Sequence, residues 1–124
     1  MSSIMGSYPL IGWPAYGIAK SAQEMLVKTL ALEGAANQVR VNAVAPAGID
    51  TPAFDVLGPV AEVLKKDFAG RHPVRRMGQP EEVAHMMAFL LTDKASFITG
   101  QVITIDGGIT SVNPGSQVFA PYVI

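Results

Sequence analysis

A tyrosine and a lysine stand four positions apart in the stretch AYGIAKSAQ, residues 15–23, as Tyr16 and Lys20. Residues i and i+4 of a helix lie about 40° from each other around the axis, so both side chains project from the same side, one turn apart. Their tips can meet around a common ligand. A free phenol has a pKa of about 10 and is ionised only to roughly one part in a thousand near neutrality. A neighbouring ammonium favours the phenolate, and each unit by which the pKa falls multiplies the ionised fraction about tenfold. That tuning lets a tyrosine exchange a proton with an alcohol or carbonyl at working pH. A serine hydroxyl aimed at the same oxygen stabilises the charge that develops there. On spacing alone, two snorkelling side chains at a helix border fit equally well.

The elements that must hold this pair follow from the hydrophobic pattern. MSSIMGSYPLIGWPA, rich in Ser, Gly and Pro, reads as a loop, with residues 2–5 able to end a strand. A helix is expected from about residue 15 to about residue 34, with Gly34 as its C-cap. At roughly 100° per residue, Gly17, Ser21, Glu24 and Lys28 form one narrow polar arc. Ile18, Ala22, Met25, Leu26, Thr29 and Leu30 spread over most of the remainder, so this helix needs cover on more than one side. QVRVNAVAP reads as a buried strand ended by Pro46, and AGIDTPAF as the loop after it. A short helix is expected over residues 56–69, although Gly58 and Pro59 interrupt it. GRHPVRRMGQP is loop, and PEEVAHMMAFLLTD is a helix that opens on Pro80 with two glutamates in its first turn. GQVITIDGG is a strand closed by a glycine pair, and residues 109–124 read as an irregular tail. Helix, strand, helices, strand is the order of one crossover in a parallel sheet. Two such strands fall short of the three or so that an independent sheet needs, so the fold is expected to be incomplete by itself.

Composition narrows the classes of function. The 124 residues are 49% hydrophobic and 15% charged with a net charge of −1, which describes one packed domain with no basic stripe for nucleic acid. Without cysteine there is no disulfide framework and no thiolate metal site, which suits a reducing cytoplasm. His72 and His85 are too few for a histidine metal cluster, so no metal is expected, and they read as structural or exposed. Residues 1–19 carry no lysine or arginine and are broken by Pro9 and Pro14, unlike a signal peptide or a membrane span.

YGIAK, taken with its surroundings, resembles the Tyr-x-x-x-Lys pattern of the short-chain dehydrogenase/reductase family. The family's catalytic serine commonly lies thirteen residues before the tyrosine, a position held here by Ser3 in MSSIMG. VRVNAVAPAGIDTP resembles the strand and loop that hold the nicotinamide end of the cofactor. PVRRMGQPEEVAHMMAFLLTDKASFITGQVITIDGG is similar to the closing helix and strand, down to the final Asp-Gly-Gly, and the resemblance runs over residues 2–108. It implies an oxidoreductase that moves hydride between NAD or NADP and a small secondary alcohol or ketone. Tyr16 would be the general acid or base, Lys20 would lower its pKa and bind the nicotinamide ribose, and Ser3 would orient the substrate oxygen. Pro46, Ile49 and Thr51 would line the nicotinamide pocket, Ile49 through its backbone and Thr51 through its hydroxyl. Tyr16 and Lys20 thereby count among the cofactor contacts as well. Where the family usually has Pro-Gly, this chain has Pro46, Ala47 and Gly48, and a positive φ at Ala47 would carry a steric cost.

The same resemblance implies an α/β fold, the C-terminal portion of a Rossmann-type doubly wound parallel sheet whose N-terminal cofactor half is missing. No glycine-rich phosphate turn follows a strand in these residues, and the acidic or basic residue that selects NAD or NADP is missing with it. The chain is therefore expected to be a single partial domain over residues 1–124, left by a truncated gene, an internal start or a misplaced start, with weak or no turnover alone. A homo-oligomer through the long helix and the closing helix and strand is implied. A non-catalytic remnant that serves as an assembly module is the alternative. Trp13, Tyr8 and Phe54 are expected near the substrate space, Arg75 and Arg76 as a solvated or interface pair. Met86, Met87, Phe89 and Leu90 are expected in the core or in a subunit contact, and Thr51 as an N-cap before Pro52.

Overall fold

The structure, a computed structural model, describes residues 1–112. Of the expected irregular tail, residues 113–124 lie outside the described residues, and Ile109–Ser111 form a single 3-10 turn. Helix α1 spans Pro14–Ala35, strand β1 Ala43–Pro46, helix α2 Ala61–Arg71, helix α3 Pro80–Leu90 and strand β2 Val102–Ile105. β1 and β2 pair in parallel, with Val44 opposite Ile103 and Pro46 opposite Ile105. Among the described residues these two strands make the whole sheet, as the pattern of the sequence implies.

Pro14 opens α1, where its missing N–H costs nothing. Gly34 is not the cap. The helix passes through it to Ala35, and the left-handed residue beyond is Gln38, at φ 58°. Gly34 is needed for room instead: a Cβ there would stand 2.9 Å from the Val39 carbonyl oxygen, where the chain doubles back toward β1. α3 begins on Pro80 and lays Val83 and Leu90 on β1. The core consists of Val44, Val83, Leu90 and Ala95, with Ile49, Met86, Ile98, Ile103 and Ile105 packed around it. Met87 and Phe89 of α3 point outward.

The expected helix over residues 56–69 is two pieces. Pro52–Val60 is a 3-10 stretch broken at Gly58, whose φ is 55°, and the α-helix starts only at Ala61, past Pro59. Residues 2–5 are likewise not a strand. Ser2 gives one backbone hydrogen bond to Val44 O (2.8 Å), beside β1, and Ile4–Gly6 then turn as a 3-10 helix. Ala47 does not have a positive φ, so the departure from Pro-Gly brings no strain. Among the described residues no helix is long and apolar enough to cross a membrane.

Candidate active site

Tyr16 lies in the first turn of α1 with 40% of its surface exposed, and Trp13 meets its ring edge-on at 6.0 Å between centroids. One turn on, Lys20 places Nζ 5.3 Å from the centroid of the Tyr16 ring. The spacing thus does what helix geometry requires and stacks the two tips on one side. Nζ donates to Met1 O at 3.3 Å and to Gln23 Oε1 at 3.2 Å, both at the long end of the hydrogen-bond range.

Ser3 is buried in an extended conformation, and its Oγ accepts from Met5 N–H at 3.2 Å as the N-cap of the 3-10 turn. That turn rests on α1. Gly17 leaves space for Met5 O, Ser21 Oγ donates to Gly6 O, and Ser2 Oγ donates to Glu24 at 3.0 Å. Of the polar arc read from the sequence, Gly17, Ser21 and Glu24 therefore face this segment, whose backbone and hydroxyls suit polar partners, while Lys28 is exposed. Ile18, Met25 and Leu26 on the other faces are exposed. No hydrogen bond joins Ser3 to Tyr16 among the described residues; what unites them is that Ser3 belongs to the segment seated on the tyrosine-bearing helix.

Pro46 ends β1, at the carboxyl edge of the sheet, and Ala47 N–H bonds to Ile105 O (3.0 Å). Open α/β sheets bind ligands at that edge. Beyond it Ile49 pairs with Gly78 in a parallel bridge, in which Asp50 N–H reaches Gly78 O (2.9 Å) and Gly78 N–H reaches Gly48 O (3.0 Å). The alternation of such a bridge turns Ile49's own N–H and C=O to the opposite side, where they make no hydrogen bond among the described residues. Thr51 occupies the N-cap position before Pro52, as read from the sequence, yet its hydroxyl makes no cap bond. A backbone donor and acceptor and a free hydroxyl are the groups that an amide-bearing ring such as nicotinamide requires, so these residues fit it.

The loop of residues 48–51 is braced from behind. Arg76 grips both oxygens of Glu82 at 2.7 Å, and Glu82 also accepts from Gln79 N–H at 2.7 Å. The Arg76 guanidinium, helped by that N–H, holds the Glu82 carboxyl down at about 2. Arg76 is thus a clamp at the head of α3, while Arg75, at φ 57°, donates to Gly70 O at 2.9 Å; both are exposed, as a solvated pair would be, but each is tied to a separate partner. His72 is buried, with Nδ1 donating to Phe68 O at 2.7 Å and its ring against Gly48; His85 is exposed. Lys65 of α2 pairs with Asp50 at 2.8 Å, and Phe54 stacks edge-on with Phe68 at 5.9 Å. At the end of β2, burial alone would raise Asp106, but hydrogen bonds from Thr110 and Gly108 outweigh it and hold the carboxyl below its ordinary value.

Sequence reasoning missed Glu24, Glu82 and His72 as positioning groups. Glu82 carried a signal, a glutamate three residues after Gln79 at a helix start, which is the spacing of a capping box. Among the described residues no group of three His, Cys, Asp or Glu could hold a metal ion.

Residues 1–110 match the family model described as enoyl-(acyl carrier protein) reductase. The chain is 42% identical over 112 residues to cis-4-hydroxycyclohexanecarboxylate dehydrogenase of Sinomonas cyclohexanicum, covering 90% of this chain and 44% of that protein. It is also 42% identical over 109 residues to the 3-oxoacyl-(acyl-carrier-protein) reductase FabG of Thermotoga maritima, covering 88% and 43%. The fold matches the ligand-free aldohexose dehydrogenase of Thermoplasma acidophilum with a TM-score of 0.83 at 39% identity, covering 91% of this chain and 47% of the other. The chain therefore spans less than half the length of these relatives.

Proposed function

The chain belongs to the short-chain dehydrogenase/reductase family, and from that premise we propose that it carries the acid–base and nicotinamide side of an oxidoreductase acting on a small secondary alcohol or ketone. The names of the relatives cover a cyclic hydroxy acid, an acyl ketone and an aldohexose. A carbon that is oxidised from alcohol to carbonyl, or reduced back, is the chemistry they share.

Bound NAD(P)H supplies hydride to the carbonyl carbon. In that direction Tyr16 gives its phenolic proton to the carbonyl oxygen as the C–O π bond breaks, which leaves an alcohol and a phenolate to be reprotonated from solvent. Ser3 donates its hydroxyl hydrogen to the same oxygen, for which Oγ is turned from its bond with Met5 N–H. Lys20 exchanges its long contacts to Met1 O and Gln23 for the ribose hydroxyls and keeps its charge beside the phenol. Ile49 offers its outward N–H and C=O to the carboxamide, Thr51 its free hydroxyl, and Pro46 a rigid wall. The observation that carries this reading is the Lys20 ammonium over the Tyr16 ring, on the helix that also holds the segment of Ser3.

Among the described residues no glycine-rich phosphate turn follows a strand, so turnover by the 124 residues alone is weak. The same proposal sets the protein in the cytoplasm as a homo-oligomer. A second reading, an assembly module without catalysis, is favoured by the apolar residues that α1 leaves uncovered, with Ile18 71% and Leu32 81% exposed. NADH fluorescence titration of the chain, alongside size-exclusion chromatography, separates the two. A saturable change that Lys20→Met weakens tenfold or more supports the enzyme reading. No change, together with self-association, supports the module.

A further inference from the structure

Glu24 lies two turns beyond Tyr16 on α1, and both of its carboxylate oxygens are engaged. Oε1 accepts from Ser2 Oγ at 3.0 Å, and Oε2 accepts from Ser7 Oγ at 2.9 Å. Those serines bracket the segment that carries Ser3. Ser2 is 4% exposed and is tied to β1 through its N–H, which reaches Val44 O at 2.8 Å. Between the two serines, Gly6 runs against the helix so closely that an added Cβ would collide with the Glu24 carboxylate and come within 3.2 Å of the Lys20 carbonyl carbon. Ser21 Oγ donates to Gly6 O from one helical turn earlier. Hydroxyl donors to an ionised carboxylate make stronger bonds than neutral pairs do, and two of them converge here on one planar group.

We propose that Glu24 is a positioning residue, a clamp that seats residues 2–7 on the helix bearing Tyr16 and Lys20 and so sets where the Ser3 hydroxyl stands relative to the phenol. It touches neither substrate nor cofactor. Its importance to catalysis rests on the acid–base reading given above, whereas the seating of residues 2–7 is measured without any cofactor.

The test is NMR on the whole 124-residue chain and on Glu24→Ala, Glu24→Gln and Ser7→Ala. The reporters are exchange of the Gly6, Ser7 and Tyr8 amides, which bond to the Ser3 and Ile4 carbonyls at 2.9–3.1 Å, and NOEs from residues 3–6 to residues 17–20. Glu24→Ala speeds exchange of those three amides tenfold or more and removes the NOEs, while the amides of β1 and β2 exchange as before. Glu24→Gln keeps one acceptor oxygen and the shape of the side chain, so it retains the NOEs with intermediate exchange, and Ser7→Ala behaves likewise. Unchanged exchange in Glu24→Ala overturns the proposal. So does acceleration spread equally over β1 and β2, which assigns Glu24 to global stability. If Glu24→Ala does not fold, the other two variants decide, and wild-type exchange in both overturns the clamp. An absence of NADH binding by the wild-type chain would unseat the reading of function and leave the clamp to be judged by exchange.

Discussion

Arg76→Met removes the clamp at the head of α3. Arg76 makes two 2.7 Å hydrogen bonds to Glu82, and Glu82 accepts a third from Gln79 N–H, which ties the loop ahead of α3 to its first turn. In the folded chain the carboxyl of Glu82 is lowered from 4.5 to about 2. A carboxyl with a depressed folded pKa contributes stability that is fully present above its unfolded value and is lost as pH falls toward the folded one. The window for Glu82 thus runs from about 4.5 down to about 2. Removing the guanidinium returns the carboxyl toward its ordinary range, limited by the remaining Gln79 bond, and deletes most of that contribution. Because the pair is exposed, solvent screening makes its effect small at any one pH, and the pH dependence is the more telling signature. Thermal melts of wild type and Arg76→Met across pH 2–7 provide it, since the other carboxyls titrate alike in both and cancel in the difference. The difference in Tm is constant above about pH 5, shrinks below about 4.5 and has lost most of its Glu82 part by about pH 2. A difference that stays constant to pH 2 refutes the assignment of the clamp to Glu82.

Two further outcomes concern the scaffold of the site. Leu90→Ala empties a position 7% exposed between α3 and β1 and lowers stability by about 2–4 kcal/mol in urea unfolding, whereas a loss below about 1 kcal/mol would mean that α3 does not cover the sheet as described. Gly34→Ala adds a methyl 2.9 Å from the Val39 carbonyl oxygen and destabilises by about 1–3 kcal/mol, despite alanine's better helix propensity; a gain in stability would contradict the close approach.

The parts of the fold that repeat a period or a terminator were legible in the sequence. α3 announced itself through Pro80 and the glutamates behind it, and the parallel pairing through the order of the elements. β1, by contrast, is only Ala43–Pro46 of the expected strand over residues 38–46, whose Val39 and Val41 lie outside it. That Tyr16 and Lys20 would share one side of a helix was legible because helix geometry stacks residues four apart. What escaped depended on contacts remote in sequence. Glu24 reads as one more polar residue until Ser2 and Ser7 arrive beside it, 22 and 17 positions away. Gly34 looked like a cap because glycine commonly ends helices, and only the return of the chain at Val39 shows why glycine is there. Arg76 and Glu82 were each visible as charges, but their pairing across the turn before α3 required the loop geometry. Ala47 was judged against a turn that this chain does not make, as its backbone shows.

Chemical-shift mapping with reduced nicotinamide mononucleotide tests the central claim most directly, because this half-cofactor needs no pyrophosphate turn. The account predicts saturable shifts centred on Tyr16, Lys20, Ile49 and Thr51, lost in Lys20→Met. Shifts that centre elsewhere, or none at saturating concentration in a folded chain, would contradict it.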